Sequence, residues 1–521
     1  MTAPMVNLTI EGRKVAVPAG TSILEAAKEV GVLIPHYCYH PGLPVAGVCR
    51  MCLVEVEKSP KLAPACATSV TEGQVVHVYS DQSLTAREGV LEMLLINHPL
   101  DCPICDQSGE CELQDYTFQE GRADSRYREP KRFNPVEDFG GDVLYVQNRC
   151  ILCTRCVRFM DDVAGEAALN VSERGDRAFI GKAEGHDLTH PWAANVVDLC
   201  PVGALLSKDF LNKARAWELD RTASVCPNCS QGCNTTLETR DNVVVRMKPR
   251  PNDDVNKYFL CDEGRADYRW INRTDRIVHP LIKVGTEHKE ADWDVALATV
   301  VSALRNRRVF VLASPRLSNE ALYLLKRLIA KVGGAGAFRV PTRGVETPLR
   351  GVKDLALRVE RAPNGKGAEL LGFTRTDDPL ALMKDGDVLV IADQELTERE
   401  VMHLKRASVV LFAGTTLTPA AAQAVTVALP LANFAEEEGT FTNLRGRVQR
   451  FLQGRAAPAL ARPSWFVLLD VLDLLGDKVE GFVPGDVFGR LAADVPAFSG
   501  MSYDTLGLRG AVVKNGAGAA R

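Results

Sequence analysis

Residues 148–165 read NRCILCTRCVRFMDDVAG, and the C-x2-C-x2-C run at Cys150, Cys153 and Cys156 is answered by Cys200 in DLCPVGAL (198–205), with 43 residues between. Three sulfur donors on one tight loop, with a fourth held far along the chain, suit a core of several metal atoms that is gripped mainly from one side. Working outward, all 15 cysteines fall between Cys38 and Cys261, and residues 262–521 contain none. The chain is chemically two halves. Upstream, NHPLDCPICDQSGECELQD (97–115) spaces His98, Cys102, Cys105 and Cys111 as H-x3-C-x2-C-x5-C, and a group opening in HYCYHPGLPVAGVCRMCLVEV (36–56) spaces Cys38, Cys49, Cys52 and Cys66 as C-x10-C-x2-C-x13-C. Downstream, ASVCPNCSQGCNTTLETR (223–240) supplies Cys226, Cys229 and Cys233, closed after 27 residues by Cys261. Four groups of four need one more ligand than the 15 cysteines supply, and imidazole is an accepted replacement for thiolate, so His98 completes the second group.

A chain of 521 residues has room for three or four domains, each with a sizeable core. Lys+Arg 62 against Asp+Glu 66 leaves a formal charge of -4. That balance excludes a dedicated nucleic-acid binder or a polybasic membrane-surface protein. MTAPMVNLTIEGRKV (1–15) lacks the charged and apolar regions of a secretory signal, and no window approaches 18 uninterrupted apolar residues. The expectation is a soluble cytoplasmic protein, where grouped cysteines hold metal in place of disulfides; the odd total points the same way.

The first group resembles the plant-type ferredoxin loop with a longer first gap, which implies a [2Fe-2S] centre. Gly42, Gly47, Pro41 and Pro44 let the backbone wrap close to it. VNLTIEGRKVAV (6–17) reads as a hairpin and SILEAAKEVGV (22–32) as a helix, so an α+β β-grasp ferredoxin domain is expected. REGVLEMLLINH (87–98) is helical, placing His98 just past a helix end where the Pro99 turn aims it. The third group looks like the bacterial ferredoxin run, including Pro201 after the remote cysteine; with a single run present it implies one [4Fe-4S] cluster in a ferredoxin-like helical region. The second and fourth groups imply two further [4Fe-4S] clusters, the fourth followed by the strand-like NTTLET and closed beyond VVVRMKP (243–249). Zinc is the alternative for all four, but zinc ribbons pair two C-x2-C units, whereas groups two to four each gather three ligands together. Four clusters with no free cysteine and no substrate-pocket motif indicate electron relay, with no catalytic residue on this chain. GGAGAF (333–338) lacks the G-x-G-x-x-G order and reads as a loop, and no phosphate-binding G-x4-G-K-S/T pattern exists, so the electron donor's cofactor belongs to another subunit.

In the cysteine-free half, RVFVLAS (308–314), DVLVIAD (387–393) and SVVLFAG (408–414) read as buried parallel strands. NEALYLLKRLIAKVG (319–333) is a helix with Ser318 as cap and Leu322, Leu325, Ile329 and Val332 on one face. The expected fold is a doubly wound α/β domain serving as a docking scaffold. Asn443, Arg445 and Arg447 are the first residues to test for a bound anion. AAPALARPS (456–464) reads as a linker, GAVVKNGAGAAR (510–521) as a frayed tail, and EGRADSRYREPKRFNP (120–135) as a surface crossing between cluster domains.

Together, H-x3-C-x2-C-x5-C after a four-cysteine loop, then CILCTRC and CPVGAL, resemble the family of large iron-sulfur subunits of bacterial NADH-quinone oxidoreductase, respiratory complex I. RIVHPLIKVG (276–285), WDVALATVVSAL (293–304) and FAEEEGTFTNLRGRVQRF (434–451) are similar to the molybdopterin oxidoreductase superfamily. The resemblance implies five domains: a [2Fe-2S] domain over 1–80, the His98 [4Fe-4S] domain over 81–140, a ferredoxin-like [4Fe-4S] domain over 141–220, a four-cysteine [4Fe-4S] domain over 221–275, and a truncated molybdopterin-oxidoreductase-like α/β domain over 276–521. It further implies electrons arriving from a flavin on an NADH-binding partner subunit and leaving through a small ferredoxin-like iron-sulfur partner toward quinone. Membrane contact is then only through partners, with the protein peripheral on the inner face of the cell membrane. The chain stops short of longer members, and its second half offers no cysteine to ligate molybdenum, so no molybdopterin is expected. An NAD-linked formate dehydrogenase subunit, or the diaphorase subunit of a hydrogenase, is the alternative assignment.

Overall fold

Met5–Ile10 and Arg13–Pro18 pair antiparallel in the computed structural model, which describes residues 3–183 and 185–514. Their two-residue turn, Glu11-Gly12, has positive φ at both positions, the twist that suits a tight hairpin. The chain divides into two compact units. One comprises the residues up to Leu219 with Leu349–Lys353; the other comprises Asp220–Pro348 and the residues from Asp354 onward.

In the first unit the hairpin belongs to a five-stranded sheet. Its order is Arg13–Pro18, Met5–Ile10, Gln74–His77, Leu53–Val56, Ala63–Pro64, with Met5–Ile10 and Gln74–His77 parallel. The helix Ile23–Glu29, capped by Ser22 accepting from the Glu25 amide, contributes Ile23 and Leu24 to a core with Leu8, Ile10, Val54 and Val76. The helix Asp81–Leu95 ends three residues before His98, and Lys131 Nζ caps it by donating to the carbonyls of Leu95 (2.7 Å) and Ile96 (3.0 Å). The 120–135 crossing thus ties down a helix end as well as facing solvent. A three-stranded sheet of Leu205–Ser207, Val143–Tyr145 and Glu137–Gly140 backs the third cysteine group. Arg155–Arg158 is a single helical turn continuing into a π-helical turn, Phe159–Ala164, which Gly165 stops at φ 77°.

The second unit begins with a three-stranded meander, Asp220–Val225, Asn234–Arg240 and Val243–Pro249, which brackets the fourth cysteine group. An eight-stranded sheet follows, centred on the parallel strands Val409–Gly414, Val388–Ala392, Val309–Ala313 and Gly334–Phe338. Val309 and Val311 pack with the helices Trp293–Leu304 and Asn319–Val332, whereas Phe310 and Leu312 enter a separate core with Leu389 and Phe412. Both sheet faces are therefore covered, which is why these strands read as unbroken apolar runs.

Three readings change. GGAGAF is not a loop: Gly334–Phe338 is a strand, because the absent side chains let Gly334 press on the Val309 carbonyl and Gly336 fit beneath Phe373. Residues 456–464 are packed, with Trp293 Nε1 donating to the Leu460 carbonyl at 3.0 Å and the Arg462 guanidinium 4.4 Å above the Trp293 ring. In the tail, Ala511–Val512 pairs with the strand Arg447–Phe451, while residues 515–521 lie outside the described residues. Among the described residues no helix is long and apolar enough to cross a membrane.

Candidate metal centres

Cys150, Cys153, Cys156 and Cys200 line one cavity in the first unit, walled by Tyr145 and Ile180. The loop bends tightly enough to present three sulfurs because Leu152 and Thr154 adopt left-handed φ of 52° and 60°, rare for residues with a Cβ and typical of functional sites. The Leu152 amide donates to Cys150 Sγ at 3.4 Å, and the Tyr145 hydroxyl bonds the same sulfur. Burial pushes the Cys150 and Cys200 thiols up to about 11 and Cys153 to about 12, with Cys156 higher still. Such thiols stay protonated unless a cationic core turns them into thiolates.

In the first group the four sulfurs meet one another. Hydrogen bonds from Cys49 and Cys66 hold the Cys38 thiol far below its ordinary range, those same bonds hold Cys49 and Cys66 high, and Cys52 bonds Cys66. The Cys38 amide donates to Cys49 Sγ at 3.4 Å. The sulfurs thus form a chain of contacts, Cys49 to Cys38 to Cys66 to Cys52.

The second group is looser and nearer solvent: Cys102 is exposed and Cys105 buried. Arg149, the residue before Cys150, pairs with Asp101 at 2.5 Å and also donates to the Gly203 carbonyl at 3.4 Å. Gly203, in the CPVGAL turn, has no room for a side chain, since a Cβ there would collide with Cys105 Sγ. His98 sits in the field of Asp101 and Arg149, the same pair that acts on Cys105. Burial lowers His98 to about 4 despite the opposing pull of Asp101, so the imidazole is neutral and keeps a lone pair for a metal.

In the second unit Cys226, Cys229, Cys233 and Cys261 are all buried, and the Cys226 amide donates to the Cys233 carbonyl at 2.8 Å. Burial raises Cys226 to about 12 and lifts Cys233 and Cys261 well above the ordinary thiol range. A Cβ on Gly264 would stand 3.2 Å from Cys261 Sγ and 3.3 Å from Cys226 Sγ, so this glycine too keeps space open beside sulfur. Among the described residues no three His, Cys, Asp or Glu side chains close on one point as a lone metal ion requires. The third group encloses a cavity and the fourth has Gly264 clearing space beside two of its sulfurs, and both all-sulfur donor sets fit a cluster of several irons.

Sequence reasoning missed the arginines. Arg155, buried, donates to the carbonyls of Tyr39 (2.8 Å) and Leu199 (3.2 Å) and pairs with Glu112 at 3.2 Å; these residues adjoin Cys38, Cys200 and Cys111. Arg158 reaches the carbonyls of Cys38 and Cys153. The only sequence signal is three arginines interleaved with the run, Arg149 before Cys150 and Arg155 and Arg158 on either side of Cys156. Asn443, Arg445 and Arg447 serve structure: Asn443 donates to the Gln231 carbonyl, Arg445 to that of Asp354, and Arg447 to that of Gly510 while pairing with Asp254. A cavity of ≈ 410 Å³ lies elsewhere, at the carboxyl ends of the parallel strands, lined by Trp270, Arg276, Arg316, Asp393 and Thr415.

In comparison with known proteins, four segments of the chain match family models. Residues 3–81 match the 2Fe-2S iron-sulfur cluster binding domain, 87–126 the NADH-ubiquinone oxidoreductase-G iron-sulfur binding region, 140–206 the ferredoxin-like domain of NADH-quinone oxidoreductase subunit 3, and 219–273 the molybdopterin oxidoreductase Fe4S4 domain. The chain is homologous to the mitochondrial NADH-ubiquinone oxidoreductase 78 kDa subunit of Candida albicans, 44% identical over 335 residues, which is 63% of this chain and 46% of that protein. It is likewise homologous to an NADH-quinone oxidoreductase subunit of Rickettsia felis, 40% identical over 332 residues, 63% of this chain and 49% of that one. The chain thus spans about half the length of the curated relatives it matches. A solved chain of NAD+-reducing [NiFe]-hydrogenase in the H2-reduced state is 30% identical, covering 40% of this chain and 90% of that chain, at a TM-score of 0.37.

Proposed function

We propose that this chain is the cluster-bearing, electron-carrying subunit of an NADH-quinone oxidoreductase, relaying electrons from a partner flavin toward quinone. The observation that carries the reading is the meeting of three ligand groups in one unit, laced together by Arg149, Arg155 and Arg158. The ligand sets are Cys38, Cys49, Cys52 and Cys66 for a [2Fe-2S] cluster, and three sets for [4Fe-4S] clusters: His98, Cys102, Cys105 and Cys111; Cys150, Cys153, Cys156 and Cys200; Cys226, Cys229, Cys233 and Cys261. Each cluster, when bound, takes up and releases one electron with little change of shape. The chain's own part is to hold these groups at fixed spacing, shield them, and donate hydrogen bonds to sulfur, as the Leu152 amide and Tyr145 hydroxyl do at Cys150.

We read the five-stranded sheet with its helix as a β-grasp and the eight-stranded sheet as a doubly wound domain of molybdopterin-oxidoreductase type, with divisions near 80, 140, 220 and 275. No molybdopterin is assigned to it. The partners are an NADH-binding flavin subunit and a small ferredoxin-like iron-sulfur subunit, and the complex places the chain peripherally on the inner membrane face. Iron and acid-labile sulfide analysis of anaerobically purified protein tests the reading. Three four-iron clusters and one two-iron cluster give about 14 iron atoms per chain, whereas about four zinc atoms without sulfide would refute it.

A further inference from the structure

Arg158 lies two residues past Cys156 and has five N–H donors. Nε donates to Thr154 Oγ1 at 3.2 Å and Nη1 to the Pro44 carbonyl. Nη2 alone reaches two candidate ligand residues from different groups, donating to the carbonyl of Cys38 at 2.5 Å and to that of Cys153 at 3.2 Å. All the acceptors are neutral oxygens, and among the described residues no carboxylate pairs with Arg158. Arg155, its neighbour, is answered by Glu112. A guanidinium without a counter-ion, half-buried between two sets of sulfurs, is complementary to the negative charge those sulfurs carry once ionised. Burial lowers its pKa, and Cys153 and Cys38 oppose that shift, which marks it as lying in the field of both groups.

We propose that Arg158 is the positioning residue that couples the first and third cysteine groups, its Nη2 fixing the spacing of the two loops and forming a two-bond bridge from Cys38 to Cys153. The inference rests on the electron-relay reading. An electron lost at one group is the electron gained at the other, no bond is made or broken, and Arg158 keeps all its protons throughout. The guanidinium matters beyond its charge, because Nη2 holds both carbonyls while Nε and Nη1 stay fixed on Thr154 and Pro44, four contacts that the three donors of an ammonium cannot all make.

The test uses the full chain carrying its clusters, as wild type, Arg158→Lys and Arg158→Met. Three readouts are needed: the electron paramagnetic resonance signals of both groups, their midpoint potentials, and the rate of internal electron exchange after flash reduction. Arg158→Lys should leave signals and midpoints in place but slow exchange by about tenfold or more. It should also weaken the magnetic interaction between the two signals. Arg158→Met should slow exchange similarly and lower both midpoints, since the positive charge is gone. Exchange within twofold of wild type in Arg158→Lys, or loss of either cluster from that variant, overturns the bridging role. Absence of the iron-sulfur signals from wild type itself would instead overturn the underlying relay reading.

Discussion

At the scale of single residues, the candidate ligands stand out by eye while the groups that position them do not. Few residue types bind iron, so cysteines at fixed spacing announce themselves. The arginines act on main-chain carbonyls up to 114 and 120 positions away, Pro44 and Cys38 in the case of Arg158, and a carbonyl leaves no mark in the sequence. Gly203 is similar: CPVGAL shows a glycine, but only the fold shows Cys105 Sγ pressed against it. Its conformation is one that any residue adopts, so the constraint is purely steric. Gly203→Ala should drive Cys105 out of place and cost the second group its cluster, leaving the chain about four iron atoms short. Gly264→Ala, whose Cβ would stand at 3.2 and 3.3 Å from two sulfurs, should be milder. Iron analysis of the two variants side by side checks the ranking.

At the scale of elements, helices and buried strands were legible because their signals are local. Ser318 is such a signal: its side chain accepts from the Ala321 amide at 3.2 Å and starts the helix Asn319–Val332 where the sequence places it. Ser318→Ala should cost about 1 kcal/mol. In a unit of this size that lowers the melting temperature by roughly 2–3 °C. Thermal unfolding of the variant against Ser318→Gly, which should lose only a few tenths of a kcal/mol, measures the cap itself. GGAGAF misled because glycine and alanine carry no strand propensity. Its strand is imposed from outside, by the parallel ladder to Val309–Ala313 and by Phe373 lying over Gly336. The pairing of Ala511–Val512 with Arg447–Phe451 is long-range for the same reason.

At the scale of the whole molecule, the second unit carries buried acids that an acidic run such as Glu436–Glu438 does not foretell. Glu437 accepts from the Ser464 amide at 2.7 Å, and Glu320 from the Thr440 amide and the Tyr503 hydroxyl, each at 2.9 Å. Burial raises Glu437 to about 8 and Glu320 to about 7. Neutral in the fold but ionised near 4.5 in the open chain, they leave stability intact below that value and drain it as pH climbs toward 8. The melting temperature of the second unit should therefore fall between about pH 5 and about pH 8. Glu437→Gln should flatten that fall; calorimetry across the range decides, and an unchanged slope counts against the buried-neutral state. The arginine lacing of the first unit has a different bearing, on how the sequence can drift. A strut anchored to carbonyls is indifferent to which side chain occupies the anchoring position, so Pro44 and Leu199 can be exchanged without unhooking it. It is unforgiving of length: one residue inserted or deleted between Cys38 and Pro44, or between Cys153 and Arg158, slides every anchor out of register. Loops of this kind can vary widely in spelling while staying fixed in count.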